Sequence, residues 1–144
     1  MKKTYLLLLL SIFMFSACSS DDDDSNENNK VKLTATFNYL LNDVNKPDVG
    51  STLYLFKGQN STTIKEYQFD ASKNHFIHKT NSTALYPTQT ERANDRGVIE
   101  IDVEKNTSYV TVFKSLKSPD IWGIDYIDIK EVPVTLTKEY AAKN

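Results

Sequence analysis

The chain has 144 residues, 40% of them hydrophobic and 25% charged, which suits one globular domain with short additions. Its 17 basic and 19 acidic residues give a formal net charge of −2. Leaving out Lys2, Lys3 and the five acids between Asp21 and Glu27 gives 15 basic and 14 acidic residues from Lys30 onward. A nearly neutral domain without a stripe of Lys and Arg binds phosphate backbones poorly, so no nucleic-acid partner is expected.

Residues 1–17 have the pattern of an export signal. Lys2 and Lys3 form a short positive region, and the apolar stretch that follows, residues 5–17, is interrupted only by Ser11 and Ser16. This stretch is shorter than the ~20 residues that a permanent membrane-spanning helix needs. It fits the hydrophobic region of a signal peptide.

Cys18 is the one cysteine of the chain, and it directly follows Phe15-Ser16-Ala17. The small side chains of Ser16 and Ala17 let an extended chain enter a peptidase cleft, and this junction resembles a bacterial lipobox. The resemblance implies cleavage before Cys18, a diacylglyceryl thioether on its sulfur and an additional N-acyl chain. Several acyl chains anchor a protein stably, so the membrane is the expected partner of Cys18.

The segment 18–29 carries five acidic residues and no apolar residue after Cys18. It cannot bury enough apolar surface to pack, so we expect a disordered acidic tether there. An acidic run directly after the lipidated cysteine is similar to the surface-export signal of Bacteroidota lipoproteins. That resemblance implies an outer-membrane protein facing the cell exterior, with the periplasmic face as the alternative.

Residues 30–144 are dominated by alternation of apolar and polar side chains, the pattern of β-strands. We predict about eight strands, and no window has the apolar spacing of a helix. The strands are predicted near residues 31–39, 52–57, 63–69, 75–79, 99–103, 109–113, 124–129 and 132–137. The expected fold is all-β, an antiparallel two-sheet β-sandwich of about 7–8 strands. Pro133 places the last strand at an edge, since proline cannot donate to a ladder.

Three segments carry a family resemblance: Lys46–Leu55, Asn94–Ile101 and Asn106–Val112. They are similar to the turn-and-strand motifs of carboxypeptidase-regulatory-like, or transthyretin-like, β-sandwich domains. The resemblance implies a prealbumin-like sandwich. The stretch Gly58–Arg92 is longer than that family usually places between these motifs, and a generic immunoglobulin-like sandwich is the competing fold.

The sequence offers little catalytic chemistry. His75 and His78 are three residues apart, so on a strand they point to opposite faces and do not easily share a metal. Glu100 and Asp102 alternate with apolar residues, which indicates that they lie on the solvent-exposed face of a strand. The transthyretin-like fold also hosts iron-dependent ring-cleaving dioxygenases with two Tyr and two His ligands, but the spacing here does not match. We therefore expect no catalytic residues, no metal and no cofactor, and a protein that is not an enzyme.

The remaining candidate is the segment around Trp122, the one tryptophan of the chain, with Asp120 beside it and Tyr126 nearby. An exposed aromatic ring next to a carboxylate suits binding of a sugar or a peptide. The alternative is that Trp122 folds down as a plug on the open end of the sandwich. We take Trp122, Asp120 and Tyr126 as candidate binding residues.

These observations favour a non-catalytic binding or adaptor module on the outer membrane, with a glycan, a peptide or an envelope protein complex as partner. The alternative is a structural or assembly subunit of a surface fibre or envelope complex that pairs strand edges with its neighbour. A metal-dependent enzyme is the remote alternative.

Overall fold

The computed structural model describes residues 29–118 and 120–141. Within these ranges the chain forms eleven strands and a 3₁₀ helix, Thr63–Glu66. The strands are β1 Lys30–Leu41, β2 Val44–Pro47, β3 Thr52–Lys57, β4 Tyr67–Asp70, β5 His75–His78, β6 Ala84–Leu85, β7 Gln89–Arg92, β8 Val98–Glu104, β9 Thr107–Lys114, β10 Trp122–Ile129 and β11 Val134–Ala141. They group into three sheets, called sheets I, II and III below.

Sheet I is built around β1. On one side β1 pairs with β11 in parallel, and on the other side it pairs antiparallel with β8 and, further along, with β2. Gly97 fills the junction between β8 and β2, where its carbonyl accepts a hydrogen bond from the Phe37 N–H at 2.8 Å. Its φ is +71°, and an added Cβ would lie 2.5 Å from the Phe37 carbonyl oxygen, so this junction requires glycine.

Sheet II has the order β10-β9-β3-β7, and every pair in it is antiparallel. Alternate side chains on one of its faces pack against sheet I and form the main core. Leu33 and Phe37 of β1 meet Leu53 and Leu55 of β3 there, all with at most 2% of their surface exposed. Burial of each such side chain contributes about 1.5–3 kcal/mol relative to leaving it exposed, so this layer is the main source of stability.

Sheet III, formed by β4, β5 and β6, covers the other face of sheet II. Phe56 of β3 meets Phe76 of β5 edge to face, with ring centroids 4.8 Å apart. Phe69 of β4 packs on Phe76 at 5.1 Å. Residues 67–85 of the long segment 58–92 thus supply a third layer, which explains why both faces of β9 are buried at its centre, residues 109–112.

The all-β fold class is confirmed, with two sheets enclosing the main core. The structure adds detail to the expected sandwich: eleven strands instead of about 7–8, a third sheet, and a parallel pairing between β1 and β11. The predicted strand at 63–69 begins as the 3₁₀ helix and becomes β4 only at Tyr67. The last strand starts after Pro133, and in the described chain it pairs with β1 alone, so it is an edge strand as expected.

Candidate functional site

The predicted lipidation site, Cys18, and residues 1–28 as a whole lie outside the described residues. The structure begins at Asn29, whose carbonyl accepts a hydrogen bond from the Lys105 N–H at 2.8 Å. This hydrogen bond places Asn29 beside the turn between β8 and β9. In the portion of the chain that the structure describes, no helix is long and apolar enough to cross a membrane.

The structure places Trp122 at the start of strand β10 and not in a loop. One side of the indole rests on Phe69 of sheet III, with ring centroids 5.1 Å apart and planes tilted by 48°. The residue is nevertheless 39% exposed. Trp122 therefore covers Phe69 and also offers surface to solvent.

Tyr126 lies on the same face of β10, four residues further along, and is 52% exposed. Four residues of strand correspond to about 13 Å at ~3.3 Å each, so the two aromatic side chains are separate contact points. Asp120 is exposed in the turn before β10. Of the three predicted binding residues, the structure aligns Trp122 and Tyr126 along one strand and leaves Asp120 in the adjoining turn.

Trp122 belongs to a row of side chains that crosses sheet II at one end. In register, Trp122 is opposite Lys114, Lys114 is opposite Thr52, and Thr52 is opposite Arg92. Directly opposed residues of antiparallel strands share a face, so all four side chains lie on the face that sheet III covers. An indole, an ammonium, a hydroxyl and a guanidinium therefore lie in one row across four different strands.

Lys114 is half-buried between sheets II and III. Its Nζ donates to the Ala71 carbonyl oxygen at 2.8 Å and to Asn74 Oδ1 at 3.1 Å, both in the β4–β5 turn. Both acceptors are neutral. Neither Lys114 nor Arg92 takes part in the ion pairs found among the described residues.

A cleft of about 260 Å³ opens beside this row. We call it the Lys114–Arg92 cleft; its lining comprises Thr52, Tyr54, Asn74, Arg92 and Lys114, together with Gly50 and the segment Ser115-Leu116. Burial raises the pKa of the Tyr54 hydroxyl, against the opposing effects of a hydrogen bond with Thr52 and the charge of Arg92. The lining is hydroxyl, amide and cation, with no acidic residue in it.

The two histidines of β5 contact different tyrosines. His75 packs against Tyr86 with ring centroids 4.9 Å apart and planes tilted by 47°. His78 packs edge to face against Tyr67, with ring centroids 5.0 Å apart. His78 Nδ1 also accepts from the Thr80 N–H at 3.2 Å. Within the described ranges no group of three or more His, Cys, Asp or Glu side chains is arranged to hold a metal ion.

A buried polar contact links three segments near the same end of the sandwich. Ser115 Oγ donates to Asp48 Oδ2 at 2.7 Å and accepts from the Ser118 N–H and the Tyr140 hydroxyl, each at 2.8 Å. Asp48 is fully buried, and its other oxygen, Oδ1, has no partner among the described residues. Ser115 thus joins β11 to the β2–β3 turn and the β9–β10 loop.

Strands β10 and β11 form the open side of the sandwich. In the described residues each is hydrogen-bonded along one side only, β10 to β9 and β11 to β1. Lys138 of β11 bridges to Asp125 of β10, with 2.5 Å between Nζ and Oδ2. Two eight-residue edges therefore lie side by side with unpaired backbone groups directed outward.

The sequence did not single out Lys114, Arg92 or Ser115. Their positions become meaningful only through pairing between distant strands, for example between Lys114 in β9 and Arg92 in β7 across β3. Lys114 is the one charged residue of strand β9, and this was the one signal available in the sequence.

No family model matches the chain, and no curated protein matches it. Solved structures resemble it at low identity, among them a minor pilin and a dioxygenase. The minor pilin GBS52 of Streptococcus agalactiae is 16% identical, with 81% of this chain and 46% of that chain covered and a TM-score of 0.48. An intradiol ring-cleavage dioxygenase from Tetranychus urticae is 14% identical, with 65% and 50% covered and a TM-score of 0.33. The chain spans about half the length of these structures, and likeness at this level carries over no function or residue role.

Proposed function

We propose that this protein is a non-catalytic structural or adaptor subunit of the bacterial cell surface that joins a neighbouring protein by strand pairing along β11. The observation that carries the proposal is the open edge of β11. Its eight residues bond to β1 on one side, and no described strand occupies the other side. An edge of this kind offers a row of N–H and C=O groups that an added strand can pair with.

Comparison with the edges β7, β2 and β8 favours β11, while the other long edge, β10, carries Trp122 and Tyr126. Strand β7 has only four residues, and β2 is equally short and ends in Pro47. Strand β8 is longer, but it presents Glu100, Asp102 and Glu104 at alternate positions, and such a row of like charges discourages pairing. Along β11 the exposed positions are Thr135, Thr137, Glu139 and Ala141, with a single acid.

The lipid that we propose on Cys18 would hold this domain on the outer membrane, facing outward. β1 begins at Lys30, soon after the proposed anchor, and β11 runs parallel to β1. The end of β11 at Ala141 therefore lies at the opposite end of sheet I from Lys30. A partner that pairs with β11 would be engaged along a strand that runs away from the anchored end.

A photo-crosslinking amino acid placed at Thr137 of β11 tests the proposal in cells that express the lipidated chain. We expect a discrete covalent adduct with one protein. The matched control is the same amino acid at Glu100, which is exposed on β8 on the same face of sheet I. Equal adducts at both positions, or none at Thr137, would contradict pairing at the β11 edge.

A second candidate function is ligand binding on β10. The observation that favours it is the partial exposure of Trp122 and Tyr126 on one face of that strand. Aromatic side chains at such positions stack on sugars or hold peptide side chains. This role is compatible with strand pairing at β11, because β10 belongs to sheet II and β11 to sheet I.

A further inference from the structure

We infer that the Lys114–Arg92 cleft binds the carboxylate of an acidic sugar, beside Trp122, which neighbours Lys114 but does not line the cleft. The inference rests on the second candidate function, a contact site around Trp122, and names the chemical class of its ligand. It is independent of strand pairing at β11, because none of the lining residues belongs to β11.

The charge of Lys114 favours an anionic ligand. A half-buried ammonium group normally has a carboxylate partner, since neutral acceptors only partly replace the water it loses. Lys114 has two neutral acceptors, the Ala71 carbonyl and the Asn74 amide oxygen. An ammonium group has three N–H donors, so these two hydrogen bonds leave one donor for a ligand.

A second cation, Arg92, and two hydroxyls line the same cleft. Arg92 lies on the far side of Thr52 from Lys114, and its charge acts on the Tyr54 hydroxyl. The guanidinium group presents paired N–H donors that match the two oxygens of a carboxylate. Thr52 lies between the two cations and hydrogen-bonds to Tyr54, whose own hydroxyl proton adds a neutral donor, and the lining contains no acid.

The size of the cleft suits one monosaccharide. The cleft of about 260 Å³ lies slightly below the ≈ 300–1,000 Å³ of sites for drug-sized ligands, which suits a group as large as one monosaccharide. Trp122 is directly opposite Lys114 in register and keeps 39% of its surface exposed. The hydroxyl and amide groups of the lining suit the hydroxyls of a sugar that carries the acid better than a bare inorganic anion.

Titration of the full-length protein in detergent tests the inference, with glucuronate as the probe. Trp122 is the only tryptophan, so its fluorescence reports on this cleft without labelling. We expect a saturable change with glucuronate, no change with glucose, and weaker binding of inorganic phosphate than of glucuronate. Addition of salt should weaken glucuronate binding, because the contact is between charges.

Arg92→Gln should weaken glucuronate binding by about ten-fold or more, the usual effect of losing a hydrogen bond to a charged group. The matched control is Arg96→Gln, which changes the other arginine of the chain, in the turn before β8. Arg96→Gln should leave binding unchanged. Lys114→Met should also abolish binding. If this variant fails to fold, Arg92→Gln still tests the inference, because Arg92 is exposed and its substitution should not disturb the core.

Several outcomes would overturn the inference. No saturation with glucuronate, an equal response to glucose, or equal weakening by Arg92→Gln and Arg96→Gln would each exclude a carboxylate site here. Tighter binding of phosphate than of glucuronate would overturn the sugar assignment in favour of a phosphorylated ligand. Crosslinking at Thr137 would be unaffected by any of these results, so the two proposals fail separately.

Discussion

Lys138 of β11 reaches across the open side of the sandwich to Asp125 of β10, and its ammonium nitrogen also lies 5.3 Å from the centroid of the Phe113 ring. The two charged side chains are 26% and 28% exposed. This contact joins the edge strand of sheet I to the edge strand of sheet II. Because it is partly shielded from water, it should contribute more than an ordinary surface ion pair.

A double-mutant cycle with Lys138→Met and Asp125→Asn measures this contribution. We expect a coupling energy of about 1–2 kcal/mol in urea unfolding, between the values for exposed and buried pairs. The control is the pair Lys32 and Asp102, whose charged atoms are 3.7 Å apart and whose side chains are 52% and 61% exposed. That cycle should give less than about 0.5 kcal/mol, and equal couplings would contradict a special role for Lys138.

Alanine substitutions at Gly97 and Gly58 separate the cost of a positive φ from the cost of a steric collision of the new Cβ. Gly97→Ala should destabilise the domain by more than about 2 kcal/mol, for two reasons. The new Cβ would collide with the Phe37 carbonyl oxygen, and alanine is unfavourable at the positive φ of this position. Gly58 has nearly the same φ, +72°, with nothing within 4 Å of an added Cβ. Gly58→Ala should therefore cost only about 1 kcal/mol. Thermal unfolding of both variants checks the difference, and equal costs would contradict the close contact at Gly97.

Ser115→Ala should be more destabilising than Tyr140→Phe. The alanine removes the one hydroxyl that donates to the buried Asp48 carboxylate and that accepts from Ser118 and Tyr140. Loss of a donor to a buried charged group costs about 1.5–3 kcal/mol, while loss of the Tyr140 hydroxyl removes one hydrogen bond of about 1 kcal/mol. Urea unfolding gives both values. A larger effect of Tyr140→Phe would show that Ser115 is not the centre of this contact.

Asp70 supplies a pH-dependent prediction. Hydrogen bonds from Ser72 lower the pKa of this carboxyl below its ordinary value of 3.8, and Lys73 adds to the effect. A lowered pKa in the folded state stabilises the fold above the ordinary pKa, and this stabilisation is lost as the pH falls through the folded value. Ser72→Ala should raise the Asp70 pKa toward 3.8. The contribution of Asp70 to the loss of folding stability at acid pH should then be smaller.

Carboxyl NMR titration of Asp70 measures the effect directly. Ser61→Ala, which changes an exposed serine in another loop, is the control and should leave the Asp70 titration unchanged. An unchanged Asp70 pKa in Ser72→Ala would show that the serine is not the cause of the shift.

Cys18→Ser should release the protein from the membrane fraction without unfolding the β domain, because the proposed lipid is attached to the Cys18 sulfur. Fractionation followed by immunoblotting gives the location, and circular dichroism of the purified variant gives the fold. Ser19→Ala is the control and should stay with membranes. Sedimentation of Cys18→Ser with membranes would contradict a lipid anchor at this residue.

The alternation of side chains was sufficient to predict the strands that have one face in the core. Strand β1 shows this clearly: Val31, Leu33, Ala35 and Phe37 are buried, and the residues between them are not. The short strands β2 and β7 were not predicted, because all their residues are exposed and they carry no alternation. They form only because a longer neighbour presents an edge with which they can pair.

The candidate site was predictable only in part. Trp122 and Tyr126 stand out by residue type, and the structure places both at a partly exposed surface. The neighbours of Trp122 could not be found from the sequence, because Lys114 and Arg92 are 22 residues apart and meet through pairing with β3. The burial of Asp48 was equally hidden, since an aspartate after proline in a turn ordinarily faces solvent.

The parallel pairing of β1 with β11 also determines how the domain would carry mechanical load. If the lipid proposed on Cys18 anchors the chain and tension acts between the start of β1 and a partner attached near the end of β11, the two strands are pulled in opposite directions along their length. All eight paired positions then resist sliding at the same time instead of opening one after another. Sheet I would act as a shear joint between the membrane and whatever is attached at its far end.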